Sequence, residues 1–492
     1  MADSNFPSEL FLPFLNEDKS LPQYVALFRA FQQAIVQGKL IPGAKLPATR
    51  PLGLSLGISR NTVKSAYEML LAEGYIDTEH GSGSFVSKRL PDQASTSGTQ
   101  TKQQAVTVNP TEVSILAKRL EDAYHSPNAS LESNLLSHGK GCLESFPWRQ
   151  WQRHVTHASR QMKYAQGDSV MGNTRLRAQI ANYLQVARGV HCDTEQIIVC
   201  SGSQQAMYLS FQILLNPGDP VLVEDPGYQG IDGAIDTLGG IKIPVETDQQ
   251  GFRLDTGLAK APHARVATLT PTRNYPMGYT LSLARRLAIL DWAKQTGSWI
   301  IEDDYDSEFR FDGPPITSLQ GLGGESCVIY AGTFSRILHP SIRLGYLVVP
   351  EALLKPFYQL KRFIDGGLSQ LPQLALAEFM AAGDFTSHVR RARKLYQQRR
   401  EILRVEIERQ CGDILKRVES DGGMHSVFLF ADQTVSDKEV CLKANAIGIG
   451  VLPLSAYYSG DKKQHGLIIG FAAHDESAIK RGVSIIAECI RP

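Results

Sequence analysis

Apolar positions early in the chain follow a helical period. Within residues 21–38, Tyr24, Leu27, Phe28, Phe31 and Ile35 recur every three or four places, with Pro22 near the start and Gly38 at the end. After the turn Ile41-Pro42-Gly43, a short second helix is predicted from Thr49 as N-cap, with Pro51 in its first turn and Gly57 as its breaker. Pro51-Leu52-Gly53 is poor helix material within it. Ser59 is expected to cap a third helix that carries Arg60, Asn61, Thr62, Val63 and Lys64 and ends near Gly74. Two strand-like pieces follow at 75–77 and 84–87, with His80-Gly81-Ser82-Gly83 as a hairpin tip. Three helices and a hairpin predict a winged helix-turn-helix.

Residues 91–110, PDQASTSGTQTKQQAVTVNP, are polar, lack aromatics and show no period, as expected of a flexible linker. Beyond them the pattern changes. Phe146-Pro147-Trp148 leads into a helix. Short apolar runs at 196–200, 220–223, 267–269, 299–301 and 328–331 alternate with helical stretches such as the amphipathic segment 283–296. Such alternation predicts a mostly parallel sheet with right-handed crossovers. After Pro350 come a long arginine-rich helix at 388–407, expected to be solvated, and strands around 426–430 and 466–471. The predicted organisation is a DNA-binding domain at 1–89, a linker at 90–125 and a large α/β domain at 126–492 with a small C-terminal α+β subdomain.

Length and charge narrow the function. A chain of 492 residues is expected to hold more than one domain. With a net charge of +1 the whole molecule is not a polycation, so nucleic-acid contact must come from local charge. That charge is present between Lys39 and Tyr67, where Lys39, Lys45, Arg50, Arg60 and Lys64 occur without an acid. The third helix would offer Ser59, Arg60, Asn61, Thr62 and Lys64 to base edges and phosphates, and the wing glycines Gly81 and Gly83 allow close backbone approach. Lys45, Thr49, Arg50 and His80 complete the candidate DNA surface. The seven cysteines form no C-x-x-C pair, which argues against zinc or a disulfide framework and for a reducing cytosol. No signal peptide or membrane span is visible.

The large domain carries the candidate chemistry. The run at 299–301 ends in Glu302-Asp303-Asp304-Tyr305, and the run at 328–331 ends in Gly332-Thr333-Phe334-Ser335, with Arg343 further on. Ligands of open α/β sheets sit beyond the carboxyl ends of such strands. An acid after one strand and a hydroxyl-rich turn with an arginine after the next suit a ligand with a basic ring nitrogen and a phosphate. Ser201-Gly202-Ser203-Gln204, opening a helix after another strand, is a second phosphate-binding pattern.

Two resemblances sharpen these expectations. PGAKLPATR, GISRNTVKSAYEMLLAEGY and GSGSFV resemble the GntR-family DNA-binding domain. The stretch from Ser298 to Arg343, with the glycine-rich turn at 167–177, resembles fold-type I pyridoxal phosphate (PLP) enzymes. Together the wording is closest to the MocR/GabR branch of the GntR regulators. The resemblance implies that Asp303 pairs with the pyridine nitrogen, that Tyr305 and Asn274 meet the ring hydroxyl, and that Tyr228 stacks on the ring. It further implies that Thr333, Ser335 and Arg343 hold the phosphate, and the helix-opening turn with Ser203 and Gln204 is expected to belong to the same site. Arg273 is unusual beside Asn274 and is expected to point toward a bound anion. Between Ser335 and Ile337 the family places the lysine that forms a Schiff base with the cofactor; this chain has Arg336. A guanidinium stays protonated and offers no free amine. The strand at 466–471 contains no arginine to clamp a substrate carboxylate. The expected protein is therefore a homodimeric, cytoplasmic transcription regulator, not an enzyme. It would bind operator DNA and sense PLP, a related vitamer or a preformed adduct without a covalent bond. Another anionic effector, a pocket kept only for dimerisation, and an aminotransferase with an appended DNA-binding domain are the alternatives.

Overall fold

The computed structural model describes residues 21–79, 81–90, 114, 116–117, 135–162 and 170–491. His80, the predicted linker at 91–110, and Gly167, Asp168 and Ser169 of the glycine-rich turn lie outside the described residues. Contacts divide the chain into two compact units, residues 1–112 and 113–492.

In the first unit, α1 (Gln23–Val36), α2 (Thr49–Leu56) and α3 (Arg60–Ala72) precede the antiparallel hairpin of β1 (Ile76–Glu79) and β2 (Gly83–Val86). The predicted apolar stripes meet in one core: Leu27, Phe31, Val63, Ala66 and Leu70 are buried, and Phe31 sets its ring edge-on to Tyr67 at 5.5 Å. Ser59 caps α3, its hydroxyl accepting from the Thr62 N–H at 3.0 Å. The predicted cap of α2 is displaced by one residue. Ala48 holds the extended cap position, and Thr49 is the first helical residue. Pro51 is tolerated because first-turn N–H groups have no helical acceptor in any case. Gly53 is needed for packing, since a Cβ there would stand 3.0 Å from the Ile58 carbonyl oxygen.

The second unit is built on an eight-stranded sheet. Its strands are β3 (Ile197–Cys200), β4 (Pro220–Asp225), β5 (Ile241–Asp248), β6 (Gly251–Phe252), β7 (Val266–Leu269), β8 (Trp299–Asp304), β9 (Val328–Thr333) and β10 (Gly345–Val348). They lie in the order β3-β10-β9-β8-β7-β4-β5-β6. Neighbours from β9 through β8, β7 and β4 to β5 are parallel, whereas β10 runs antiparallel between β3 and β9. Strands β3, β7, β9 and β10 are buried at every residue, which explains their unbroken apolar runs. Helices α4 (Thr174–Arg188), α5 (Ser203–Leu214) and α6 (Leu283–Thr296) belong to this layer. Asn173 caps α4 by accepting from the N–H groups of Arg175 and Leu176 at 3.0 and 3.3 Å.

Helix α7 (Asp384–Cys411) differs from expectation. It is longer than predicted and not simply solvated: Phe385, Val389, Ala392, Tyr396, Leu403, Ile407 and Cys411 are buried at helical spacing. Its many arginines mask that stripe in the sequence. The C-terminal part adds a four-stranded antiparallel sheet of β11 (Leu415–Arg417), β12 (His425–Phe430), β13 (Leu452–Pro453) and β14 (Gly466–Gly470), in the order β11-β12-β14-β13. Among the described residues no helix is long and apolar enough to cross a membrane.

Candidate functional site

In the winged unit, the first turns of α3 expose Ser59, Arg60, Asn61 and Lys64, while Val63, Ala66 and Tyr67 face the core. The Arg60 guanidinium reaches back to the Thr49 hydroxyl at 3.4 Å, a long contact that joins the starts of α2 and α3. Lys64 lies 3.6 Å from Glu68 one turn on, with both side chains about two-thirds exposed, so the pair is solvent-screened and Lys64 is not locked away. Arg50 is exposed. Lys45 extends along the wing, 5.8 Å from the Phe85 ring centre and against the backbone of Gly83. Gly81 and Gly83 have φ of +80° and +112°, values that make them the turn-forming residues of the wing.

In the large unit, β-strand alternation distributes the acids of β8. Successive side chains on a strand face opposite ways. Asp304 turns to α4, where it accepts from Arg188 Nε at 3.0 Å, and Arg188 also pairs with Glu308 at 3.1 Å. Asp303 therefore faces the other side. It is buried, and its Oδ1 has no hydrogen-bond partner among the described residues. Burial, reinforced by the charge of Asp304 and opposed by that of Arg336, pushes its carboxyl up to about 7.

The antiparallel insertion of β10 assembles the second part of the site. Gly345 stands opposite Thr333 on one side and Cys200 on the other. A Cβ at Gly345 would come within 2.9 Å of Gly202 and of the Gly332 carbonyl oxygen, so the residue type permits the close approach of three segments. Thr333 Oγ1 accepts from the Ser335 N–H at 3.3 Å. Arg343, in the left-handed region at φ 49°, donates to the Ser201 carbonyl at 3.2 Å, and its guanidinium lies beside Gly202. A non-glycine residue held at positive φ is strained and is a pointer to function. Ser203 and Gln204 begin α5 at the same turn.

Further candidate positions make contacts with one another around these two parts. The Tyr228 hydroxyl donates to Gln204 Oε1 at 3.3 Å. Tyr275 meets Tyr228, Tyr305 and Tyr457 edge-on at 5.7, 5.9 and 5.5 Å. Arg336 lies over the Tyr305 ring, 5.4 Å from its centre. The sequence had not singled out Tyr275, Tyr457, His138 or His425. Tyr275 Oη is 3.0 Å from His138 Nε2, and the His138 and His425 rings are 5.0 Å apart. Burial, aided by the nearby Arg336 and Arg273 charges, lowers the His138 imidazole to about 3, which keeps it neutral. Only Tyr275 had a visible signal, its place directly after Asn274.

Arg273 corrects an expectation. It does not point at an open anion site. Its guanidinium is consumed by Tyr305 Oη at 2.8 Å, Asp306 at 3.1 Å and the carbonyls of Gly422 and His425 at 3.2 and 3.1 Å. It thereby orients Tyr305 and neutralises Asp306.

Comparison with known proteins accounts for both units. Residues 23–86 match the family described as bacterial regulatory proteins, gntR family, and residues 130–486 match aminotransferase class I and II. The probable rhizopine catabolism regulatory protein MocR of Rhizobium meliloti is 32% identical over 476 residues, covering 96% of this chain and 94% of that protein. The chain belongs to the MocR/GabR regulators. A second relative, the pyridoxine biosynthesis transcriptional regulator PdxR of Corynebacterium glutamicum, is 30% identical over 490 residues, spanning 96% of this chain and 97% of its own. Among solved structures, Pyrococcus horikoshii kynurenine aminotransferase in complex with PMP matches with a TM-score of 0.68 and 25% identity, over 79% of this chain and 97% of that one. Like the two regulators, the chain joins a GntR-type helix-turn-helix to an aminotransferase fold, one that in the kynurenine aminotransferase holds PMP.

The regulator's own residues fit such a ligand. Asp303 Oδ1, Asn274 Oδ1 and Ser335 Oγ are buried and unpartnered among the described residues. Buried polar atoms are normally satisfied, so these three are open to polar groups of a bound ligand.

Proposed function

We propose that this regulator reads a two-half-site operator as a homodimer through α3 and the wing, and that its large unit binds a PLP-type ligand non-covalently as an effector, without turnover. One observation carries this reading. The acid, the hydroxyl-bearing and the phosphate-binding residues of the family pattern are in the chain, while the lysine position holds Arg336, whose guanidinium lies over Tyr305. When bound in aminotransferases, the cofactor supplies an aldehyde that a lysine amine captures. Here the chain's residues bind and orient. Asp303 takes the ring nitrogen, and its raised pKa falls back once a cationic nitrogen stands beside it. Tyr305, held by Arg273, and Asn274 take the hydroxyl. Ser203, Gln204, Thr333, Ser335 and Arg343 surround the phosphate, and Tyr228 covers the ring.

Two residue sets thus have separate duties. Arg60, Asn61 and Lys64 act on DNA together with Ser59, Thr62, Lys45, Thr49, Arg50, Gly81 and Gly83; the pocket acts on the effector. Titration of the full-length protein with PLP tests the reading, followed by borohydride reduction, digestion and mass spectrometry. The expected result is saturable binding that dialysis reverses, with no stoichiometric pyridoxyl adduct on any lysine, and an operator mobility shift that depends on added PLP. A stoichiometric adduct on a native lysine would overturn the non-covalent mode. Turnover of amino donors would overturn the assignment as a sensor.

A further inference from the structure

Arg336 has an unusual electrostatic setting. Its guanidinium sits over an aromatic face, and among the described residues no carboxylate pairs with it. Asp306, a nearby acid, is tied to Arg273 at 3.1 Å. The imidazoles of His138 and His425 are held neutral by burial and by the two arginines, so they add no charge. Asp303 and Asp306 act on the cation only at longer range, and no carboxylate among the described residues forms a direct ion pair with it; its donors therefore favour an acceptor or an anion and repel a second cation.

The ligand's covalent structure fixes what would meet it. In a pyridoxyl ring the carbon that bears the variable group is opposite the ring nitrogen, between the hydroxyl and the phosphate arm. With the nitrogen on Asp303, the hydroxyl toward Tyr305 and the phosphate toward Ser335, the side chain between the last two is Arg336. Resting on the reading of the pocket given above, we propose that Arg336 makes the regulator selective for the charge carried on that carbon: it accepts ligands bearing an aldehyde or carboxylate there and rejects those bearing an ammonium. The effector class is then the oxo and acid forms of the phosphorylated vitamer, and pyridoxamine phosphate is excluded. A lysine, able to share or lose its proton, imposes no such fixed preference; an arginine cannot relax it.

The test uses the full-length protein and two probes that have no aldehyde to react with surface lysines: 4-pyridoxic acid 5′-phosphate and pyridoxamine 5′-phosphate. Calorimetric titration of the wild type is expected to show the acid binding about tenfold or more tighter than the amine, a difference of about 1.4 kcal/mol or more. In Arg336→Met and in Arg336→Gln, compared at matched thermal stability, that ratio should collapse toward one. The wild-type comparison stands even where a variant folds poorly. Equal or tighter binding of the amine by the wild type overturns the selectivity while leaving the pocket reading intact, as does a ratio unchanged in both variants. Failure of both probes and of PLP to bind removes the pocket reading and the selectivity with it.

Discussion

Asp303 shows how one residue carries both a cost and a use. Its carboxyl is buried without a partner on Oδ1 and is raised from 3.8 to about 7, first by burial and then by Asp304, against the pull of Arg336. A carboxyl whose folded pKa is raised favours the folded state at acid pH, and that contribution disappears as pH rises through the folded value. The ligand-free protein is therefore expected to lose stability between pH 5 and pH 8. Asp303→Asn should remove part of that loss, on the order of 1–4 kcal/mol, in denaturant titrations at the two pH values. Identical slopes for wild type and variant would show that water reaches the carboxylate. Asp303→Ala should weaken any pyridoxyl-type ligand by about 2–5 kcal/mol, the usual loss when one member of a buried ion pair is truncated. The neighbouring Arg336 gives a chemical counterpart. Arg336→Lys returns an amine to the position, and reduction with borohydride should then leave a pyridoxyl group on that side chain, visible by mass spectrometry. An intact fold with no adduct would mean that the pocket no longer takes an aldehyde of this kind.

At the level of elements, the legible features were those with local causes. The helix α6 lies at Leu283–Thr296 as expected, although it is not cleanly amphipathic, with Leu283 and Leu287 exposed and Arg286 buried; the cap at Ser59 is where its hydroxyl finds the Thr62 N–H. The strand ends bearing Asp303 and Thr333 were readable because an apolar run stops at a polar residue. Three features had no local cause. The antiparallel place of β10 depends on which strands it separates, and nothing in Gly345-Tyr346-Leu347-Val348 announces it. The buried stripe of α7 is diluted by arginines. His138 joins Tyr275 across more than a hundred residues, so only the folded chain brings the two together. The β10 insertion also makes a prediction. Gly345→Val would drive side-chain atoms into Gly202 and the Gly332 carbonyl, both at 2.9 Å even from a Cβ. Overpacking of this type costs about 1–3 kcal/mol, and it should part the Arg343 side of the cradle from the start of α5. A lower melting temperature together with lost phosphate-ester binding is expected; lost binding at unchanged stability would place the defect elsewhere.

Across the whole molecule, a near-neutral chain must confine its DNA affinity to one unit. The net charge is +1, yet residues 39–67 carry five basic side chains and no acid. Binding driven by such a patch should depend steeply on salt, because each neutralised phosphate releases counterions and lowers the logarithmic slope by about 0.9. Arg60 and Lys64 should behave differently within it. Arg60 is exposed at the start of α3, with its guanidinium toward Thr49, and we propose it as a base-edge reader. Lys64 stands one turn later, paired loosely with Glu68 at 3.6 Å, a contact a phosphate can displace at small cost. Arg60→Ala is therefore expected to cost about 1–3 kcal/mol on the operator and to narrow the gap between operator and random DNA. Lys64→Ala should weaken both targets alike and reduce the salt slope by about one. Mobility-shift or anisotropy titrations over a series of salt concentrations separate the two effects. If Arg60→Ala leaves discrimination intact and changes only the salt slope, Arg60 is a phosphate contact, and base readout shifts to Asn61 and its neighbours on the same exposed turn.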